Sequence, residues 1–165
     1  KFSRLGEVFV REDGVTFNLH YAESLFLRAE AALRGLTNEN PEELYYKGIQ
    51  AAMEMYGVLN DLGQIDEYLN QSIILFNQSN ALEQIITQKW ISLCMNGVEA
   101  WFEKRRTGFP VFDQLEYSGS INNGLFPRRL TYSDAERRLN PQNVQEAIDR
   151  MGEDEQTTRV WWDVK

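Results

Sequence analysis

The sequence predicts an all-α fold, and three stretches carry that expectation. Between Asn80 and Pro110 apolar residues recur at the three-and-four spacing of a helix face. Between His20 and Gly57 two further helical patterns stand in tandem, each with its own stop signal. A last one, NPQNVQEAIDRMG, runs from Asn140 to Gly152. Residues 1–18 are not helical in pattern. There Leu5, Val8, Val10, Val15 and Phe17, with the turn at Glu12–Gly14, suggest a short hairpin.

Taken in order, the first helix lies in HYAESLFLRAEAALRG. Tyr21, Leu25, Ala29, Ala32 and Leu33 make one stripe, and Ala22, Phe26 and Ala31 lie beside it, small enough for another helix to approach closely. Glu30 and Arg34 are spaced to pair, and Gly35 ends the helix. In the next segment Asn40 caps, Pro41 takes the first helical position, Glu43 completes a capping box and Gly57 stops it. Tyr45, Ile49, Ala52, Met53 and Tyr56 supply its buried side. So short a link makes the two helices antiparallel neighbours over about residues 20–57, and a spacing of about 34–36 residues is that of a tetratricopeptide unit.

A shorter helix around Ile65–Leu69 precedes an apolar loop, Ile73 to Phe76, laid over the bundle. The central helix, about 81–106, starts from an Asn80/Glu83 capping box. It carries Leu82, Ile85, Ile86, Trp90, Leu93 and Trp101 on one face and Ile91, Met95, Val98 and Phe102 on another. Two apolar faces imply neighbours on both. Lys104, Arg105 and Arg106 complement its dipole before Gly108 and Pro110 end it, after roughly 26 residues or about 39 Å. Residues 111–139 read as irregular, which at that length points to a function or an interface. The last helix spans about 141–151, with Val144, Ala147, Ile148 and Met151 inward.

The chain is 165 residues long, which suits one domain with a core. A net charge of −8 argues against nucleic acid and anionic membrane surfaces as partners. No apolar run is long enough to cross a membrane, and no signal peptide begins the chain. One cysteine, Cys94, excludes an internal disulfide, and with one histidine, His20, the usual metal and nucleophile motifs are missing. No cofactor motif appears. The opening KFSRLGEVF, without Met or leader, suggests a piece of a longer protein.

The blocks YAESLFLRAEAALRG, YYKGIQAAMEMYGV, ALEQIITQKWISLCMNGVEAWFEKRRTGFP, PRRLTYSDAERRLNPQNVQEAI and the closing VWWD resemble, in this order, the C-terminal region of the SusD/RagB family. The resemblance covers roughly residues 15 to 165 and is closest to the SusD-like lipoproteins of gut and oral Bacteroidetes. It implies an all-α protein of tetratricopeptide-like hairpins around a long central helix, with irregular loops laid over them. It also implies a glycan- or nutrient-binding, non-catalytic lipoprotein on the outward face of the outer membrane, capping a SusC-like TonB-dependent transporter. Membrane attachment would be through an N-terminal lipid absent from this chain, and much of the family's sugar-binding surface lies in segments before this one.

Sugar binding needs flat aromatic faces and planar polar groups, for which Tyr117, Asn122, Asn123 and Trp161 are candidates. One of Trp161 and Trp162 is expected to plug the bundle end, and Trp90 and Trp101 to sit in the core. Glu99, Glu103, Lys104, Arg105 and Arg106, with Arg128 and Arg129, read as a structural network around the end of the central helix. A helical glycosidase would need two of Glu23, Glu30, Glu99 and Asp113, and no spacing selects a pair. Glu153–Glu155 lacks a calcium-loop pattern and reads as a solvated turn. A tetratricopeptide-type adaptor gripping a peptide is the alternative from another class.

Overall fold

A computed structural model describes residues 6, 9–14, 17–57, 62–112 and 121–163 of the chain. Among these residues all regular structure is helical, as expected: α1 (Tyr21–Leu33), α2 (Pro41–Met55), α3 (Leu62–Leu69), α4 (Ala81–Ser92), α5 (Gly97–Thr107), α6 (Asp134–Leu139) and α7 (Pro141–Met151). Of the hairpin expected near the start, Leu5, Val8 and Val15 lie outside the described residues, and Phe9 and Val10 lie in a turn closed by the Phe9 N–H on the Gly6 carbonyl. The single domain expected over the chain divides into two compact units, residues 1–103 and 104–165, with the boundary inside α5.

In the first unit α1 and α2 form the expected antiparallel hairpin, and both pack on α4. Asn40 caps α2 through its side chain, which accepts from the Glu42 and Glu43 N–H groups. Gly35, at φ 72°, supplies the left-handed turn that lets the Leu36 N–H reach the Ala31 carbonyl. The buried face of α1 is Ala22, Leu25, Phe26 and Ala29; Tyr21 points away, being 66% exposed. Phe26 is fully buried against Gly48 of α2, where an added Cβ would come within 2.6 Å of the ring. The loop 71–80 is held by side chains that satisfy its backbone. The Tyr45 hydroxyl donates to the Ile74 carbonyl, Gln84 donates to the Ile73 and Leu75 carbonyls, and the Tyr46 hydroxyl accepts from the Phe76 N–H. Ile74 reaches the core while Ile73 remains 75% exposed.

The long central helix is two helices. α4 ends at Ser92, Met95 adopts φ 71°, and α5 starts at Gly97. Three local features explain the break. The Ser92 hydroxyl donates back to the Lys89 carbonyl, a bond that competes with helix continuation. The Tyr56 hydroxyl donates to the Ser92 and Cys94 carbonyls, at 2.9 and 3.0 Å, giving the α4 terminus partners outside its own ladder. Asn96 opens the new helix, its carbonyl accepting from Ala100 and its side chain from the Glu99 N–H. At the α4 start the expected capping box does not form, because Asn80 makes no side-chain cap bond and Gln84 instead accepts from the Asn77 N–H.

The second unit contains a helix within the stretch expected to be irregular. Ser133 caps α6 by accepting from the Glu136 N–H, and Asn140 alone separates α6 from α7. The sequence SDAE is a capping box that the apolar period, interrupted by Glu136, Arg137 and Arg138, concealed. Residues 121–133 carry no helix. On α7 only Val144 is buried, while Ala147, Ile148 and Met151 are half-buried.

Candidate functional site

The break between α4 and α5 opens a cleft of about 900 Å³ in the first unit. Its walls are the loop residues Phe9, Arg11, Asp13 and Phe17, the end of α2 at Tyr56, and Met95, Asn96, Val98 and Glu99. Phe9 lies against Tyr56 with ring centroids 5.9 Å apart, and Phe17 meets His20 edge-on at 6.5 Å. Both phenylalanines keep part of their faces in solvent, at 37% and 46% exposure. Arg11 and Asp13 form a two-bond fork, at 2.9 and 2.6 Å, so the guanidinium is matched within the wall.

His20, 8% exposed, caps α1 through Nδ1, which accepts from the Glu23 N–H at 3.0 Å. That bond puts the ring proton on Nε2, which is buried on the side of the Ser92 carbonyl. Burial holds the imidazole below its ordinary range, the Ser92 carbonyl opposes this, and Lys89 adds to the depression.

Beneath it lies a buried charge cluster. Lys89, 1% exposed, extends its ammonium to Glu103 at 2.5 Å and stands 3.8 Å from Glu23. Burial raises the Glu23 carboxyl, Lys89 opposes, and Glu99 and Glu103 add to the rise. Lys89 was legible only as a charge on the stripe of Ile85 and Ile86, three or four residues away, and the glycosidase candidate Glu23 is committed to it. Glu30, another of those candidates, pairs with Arg34 at 2.7 Å, and Asp113 lies outside the described residues.

In the second unit two buried aspartates organise the arginines. Arg128 and Arg159 converge on Asp163, whose side chain is 6% exposed. Arg129, at 2.8 Å, and Arg137 converge on Asp154, whose side chain is 4% exposed and also accepts from the Tyr132 N–H. Asp154 is thus a buried anchor and not part of a solvated turn. Arg105 stacks on Trp162, 4.7 Å from the ring centroid, while Arg106 is exposed on α5. Glu99 lies in the first unit, at the cleft. Lys104 donates to the Gly108 and Pro110 carbonyls, which closes the end of α5.

Trp161 is 89% exposed and Trp162 50%, so neither is buried as a plug, and Trp162 is covered in part by Arg105. Trp90 and Trp101 are half-buried and outside the core. Asn122 donates to the Gln156 side chain at 2.7 Å, Asn123 is exposed at φ 51°, and Tyr117 lies outside the described residues. The second apolar stripe of the central helix is also open: Ile91, Met95, Val98 and Phe102 are 46–65% exposed.

The Asp163 anchor yields a test. Hydrogen bonds from Arg128, chiefly, hold its carboxyl at about 2 against the ordinary 3.8, with Arg159 assisting and burial opposing. A depressed carboxylate stabilises the fold fully above about pH 4 and ceases to do so as pH falls through 2. D163N is expected to remove about 2 kcal/mol at neutral pH and to flatten the acid limb of the stability curve, measured by urea titrations across pH.

Over residues 3–133 the chain matches the model of the SusD-like family, described as starch-binding and associating with the outer membrane. Among solved structures it is similar to a chitin-binding protein, at 38% identity and a TM-score of 0.74, over 88% of this chain and 33% of that one. A SusD-like protein of Bacteroidetes AC2a is 34% identical with a TM-score of 0.81, over 98% of this chain and 33% of the other. A chitin-binding SusD homologue from Flavobacterium johnsoniae is 30% identical with a TM-score of 0.68, over 87% and 36%. The chain therefore spans about a third of the length of these proteins. No curated protein matches it. Among the described residues no helix is long and apolar enough to cross a membrane. With a family model matched over most of its length and the same helical fold, the chain belongs to the SusD-like family.

Proposed function

We propose that the protein is a non-catalytic glycan-binding component of an outer-membrane uptake system, held at the outer face by an N-terminal lipid and capping a SusC-like TonB-dependent transporter. The observation that carries the reading is the cleft on a SusD-like scaffold, where Phe9 and Phe17 offer apolar faces for sugar C–H groups beside polar side chains. Of the carboxylates that hydrolysis would draw on, Glu23 is engaged with Lys89 and Glu30 with Arg34. Trp161, Asn122, Asn123 and Tyr117 are proposed as further sugar contacts. Trp161 supports this best, because an indole so exposed has a free face.

The test measures three things on one preparation: oligosaccharide binding by calorimetry, release of reducing ends, and capture of a TonB-dependent transporter from the native outer membrane. Binding and capture without turnover are expected. W161A is expected to weaken glycan binding by roughly three- to ten-fold, the value of one aromatic contact. Turnover, or the absence of both binding and capture, would defeat the proposal.

A further inference from the structure

We infer that the Tyr56 hydroxyl is the positioning group of the cleft, holding the chain open between α4 and α5 so that the opposite wall takes its shape. This rests on the glycan-binding reading above and assigns the residue on which the geometry of that site depends.

Tyr56 stands at the end of α2 and acts in two directions. Its ring packs on Phe9, 5.9 Å between centroids, and so backs one of the two aromatic faces offered to a sugar. Its hydroxyl reaches the other wall, with the Ser92 and Cys94 carbonyls at 2.9 and 3.0 Å. Burial chiefly, with Cys94 assisting, raises the phenol above its ordinary range, so near neutral pH it stays a donor. Those carbonyls stand where the chain leaves the helix. Cys94 and the residues that follow, Met95, Asn96, Val98 and Glu99, form the wall of the cleft.

The segment needs such a hold, because its own preferences oppose the break. Its apolar stripes run on through residues 93–96 at helical spacing. Met95 sits at φ 71°, a left-handed conformation that is costly for a residue with a Cβ and free for glycine. A strained residue in the wall of a site persists only where its surroundings over-determine it. The constraint immediately before Met95 is the Tyr56 hydroxyl, delivered from another helix. Without that hydroxyl the fraction of molecules with a formed cleft falls, and apparent affinity falls with it.

The experiment is calorimetry on the whole chain, with N-acetylglucosamine oligomers and malto-oligosaccharides as probes. It compares the parent with Y56F, M95V, M95G and the Y56F/M95G double variant. Y56F keeps the ring on Phe9 and removes only the donor, so it should weaken the tighter probe roughly three- to ten-fold. M95V introduces a β-branched residue that resists positive φ, and should weaken binding likewise with Tyr56 intact. M95G supplies the turn without help, so in its background Y56F should cost little or nothing. I49V loosens the core on the same helix and should leave binding unchanged, which separates positioning from general stability. Tyr56 is half-buried and Met95 exposed, so the variants are expected to fold, which circular dichroism checks. Unchanged binding in Y56F or in M95V, or a matching loss in I49V, overturns the inference while leaving glycan binding intact. So does an undiminished Y56F loss in the M95G background, which would make the hydroxyl a direct ligand contact. Failure of both probes to bind the parent overturns the glycan reading itself, and the inference with it.

Discussion

Lys89→Met is expected to destabilise the first unit by about 3–5 kcal/mol, the usual cost of removing one partner of a buried ion pair. Lys89 sits on α4 among apolar neighbours, 1% exposed, with its ammonium 2.5 Å from Glu103 and 3.8 Å from Glu23. Methionine matches its length but withdraws that ammonium from two carboxylates that are 3% and 4% exposed. The Glu23 carboxyl, already raised by burial, would lose the opposing ammonium and rise further above its unfolded value, so the defect should be smallest at mildly acid pH and grow as pH rises. Urea unfolding at several pH values reads both effects. Pairing the change with Glu103→Met should recover part of the loss, since replacing both partners by apolar groups is often close to neutral. A K89M protein as stable as the parent at pH 8 would show that water reaches the cluster.

Phe26→Ala is the second large effect, about 3–5 kcal/mol for emptying a fully buried aromatic site. Phe26 is 0% exposed, between α1 and α2, and its ring edge occupies the space that a side chain at position 48 would need. The reverse change makes the same contact testable. Gly48→Ala drives a Cβ to within 2.6 Å of the Phe26 ring, so overpacking of about 1–3 kcal/mol competes with the roughly 1 kcal/mol that alanine gains over glycine within a helix. If the contact is as close as described, G48A is destabilising in the parent and harmless, or stabilising, beside F26L. That non-additivity in a double-mutant cycle is the measurement. Additive losses would mean that the two helices do not touch at this point.

Several features of this architecture were legible from residues alone. Asn40-Pro41 and Gly35 announced the ends of their helices correctly, because a cap is a bond between neighbours in sequence. Glu30 and Arg34 pair as their spacing requires. Asn80 failed for an instructive reason. Its expected partners are local, but Gln84, serving the 73–77 loop, took over the same terminus. The arginines at 129 and 128 were visible as charges, whereas their partners Asp154 and Asp163, 25 and 35 residues further on, could not be matched to them by spacing. The cleft was illegible for the same reason, since it assembles residues near position 10, position 56 and position 96.

By itself the sequence determined the helical class, the order of the α1–α2 hairpin and most helix ends, and excluded a disulfide within the chain. These depend on period, caps and composition, which act over a few residues. The tertiary structure alone decided that Asn80–Pro110 is broken at residues 93–96, that Ile91 and Val98 face outward, and that Lys89 is buried between two glutamates. The break depends on a hydroxyl delivered by Tyr56 from another helix, and burial depends on what packs opposite. Such partners lie far apart along the chain, and only folding brings them within the few ångströms over which hydrogen bonds and buried charges act.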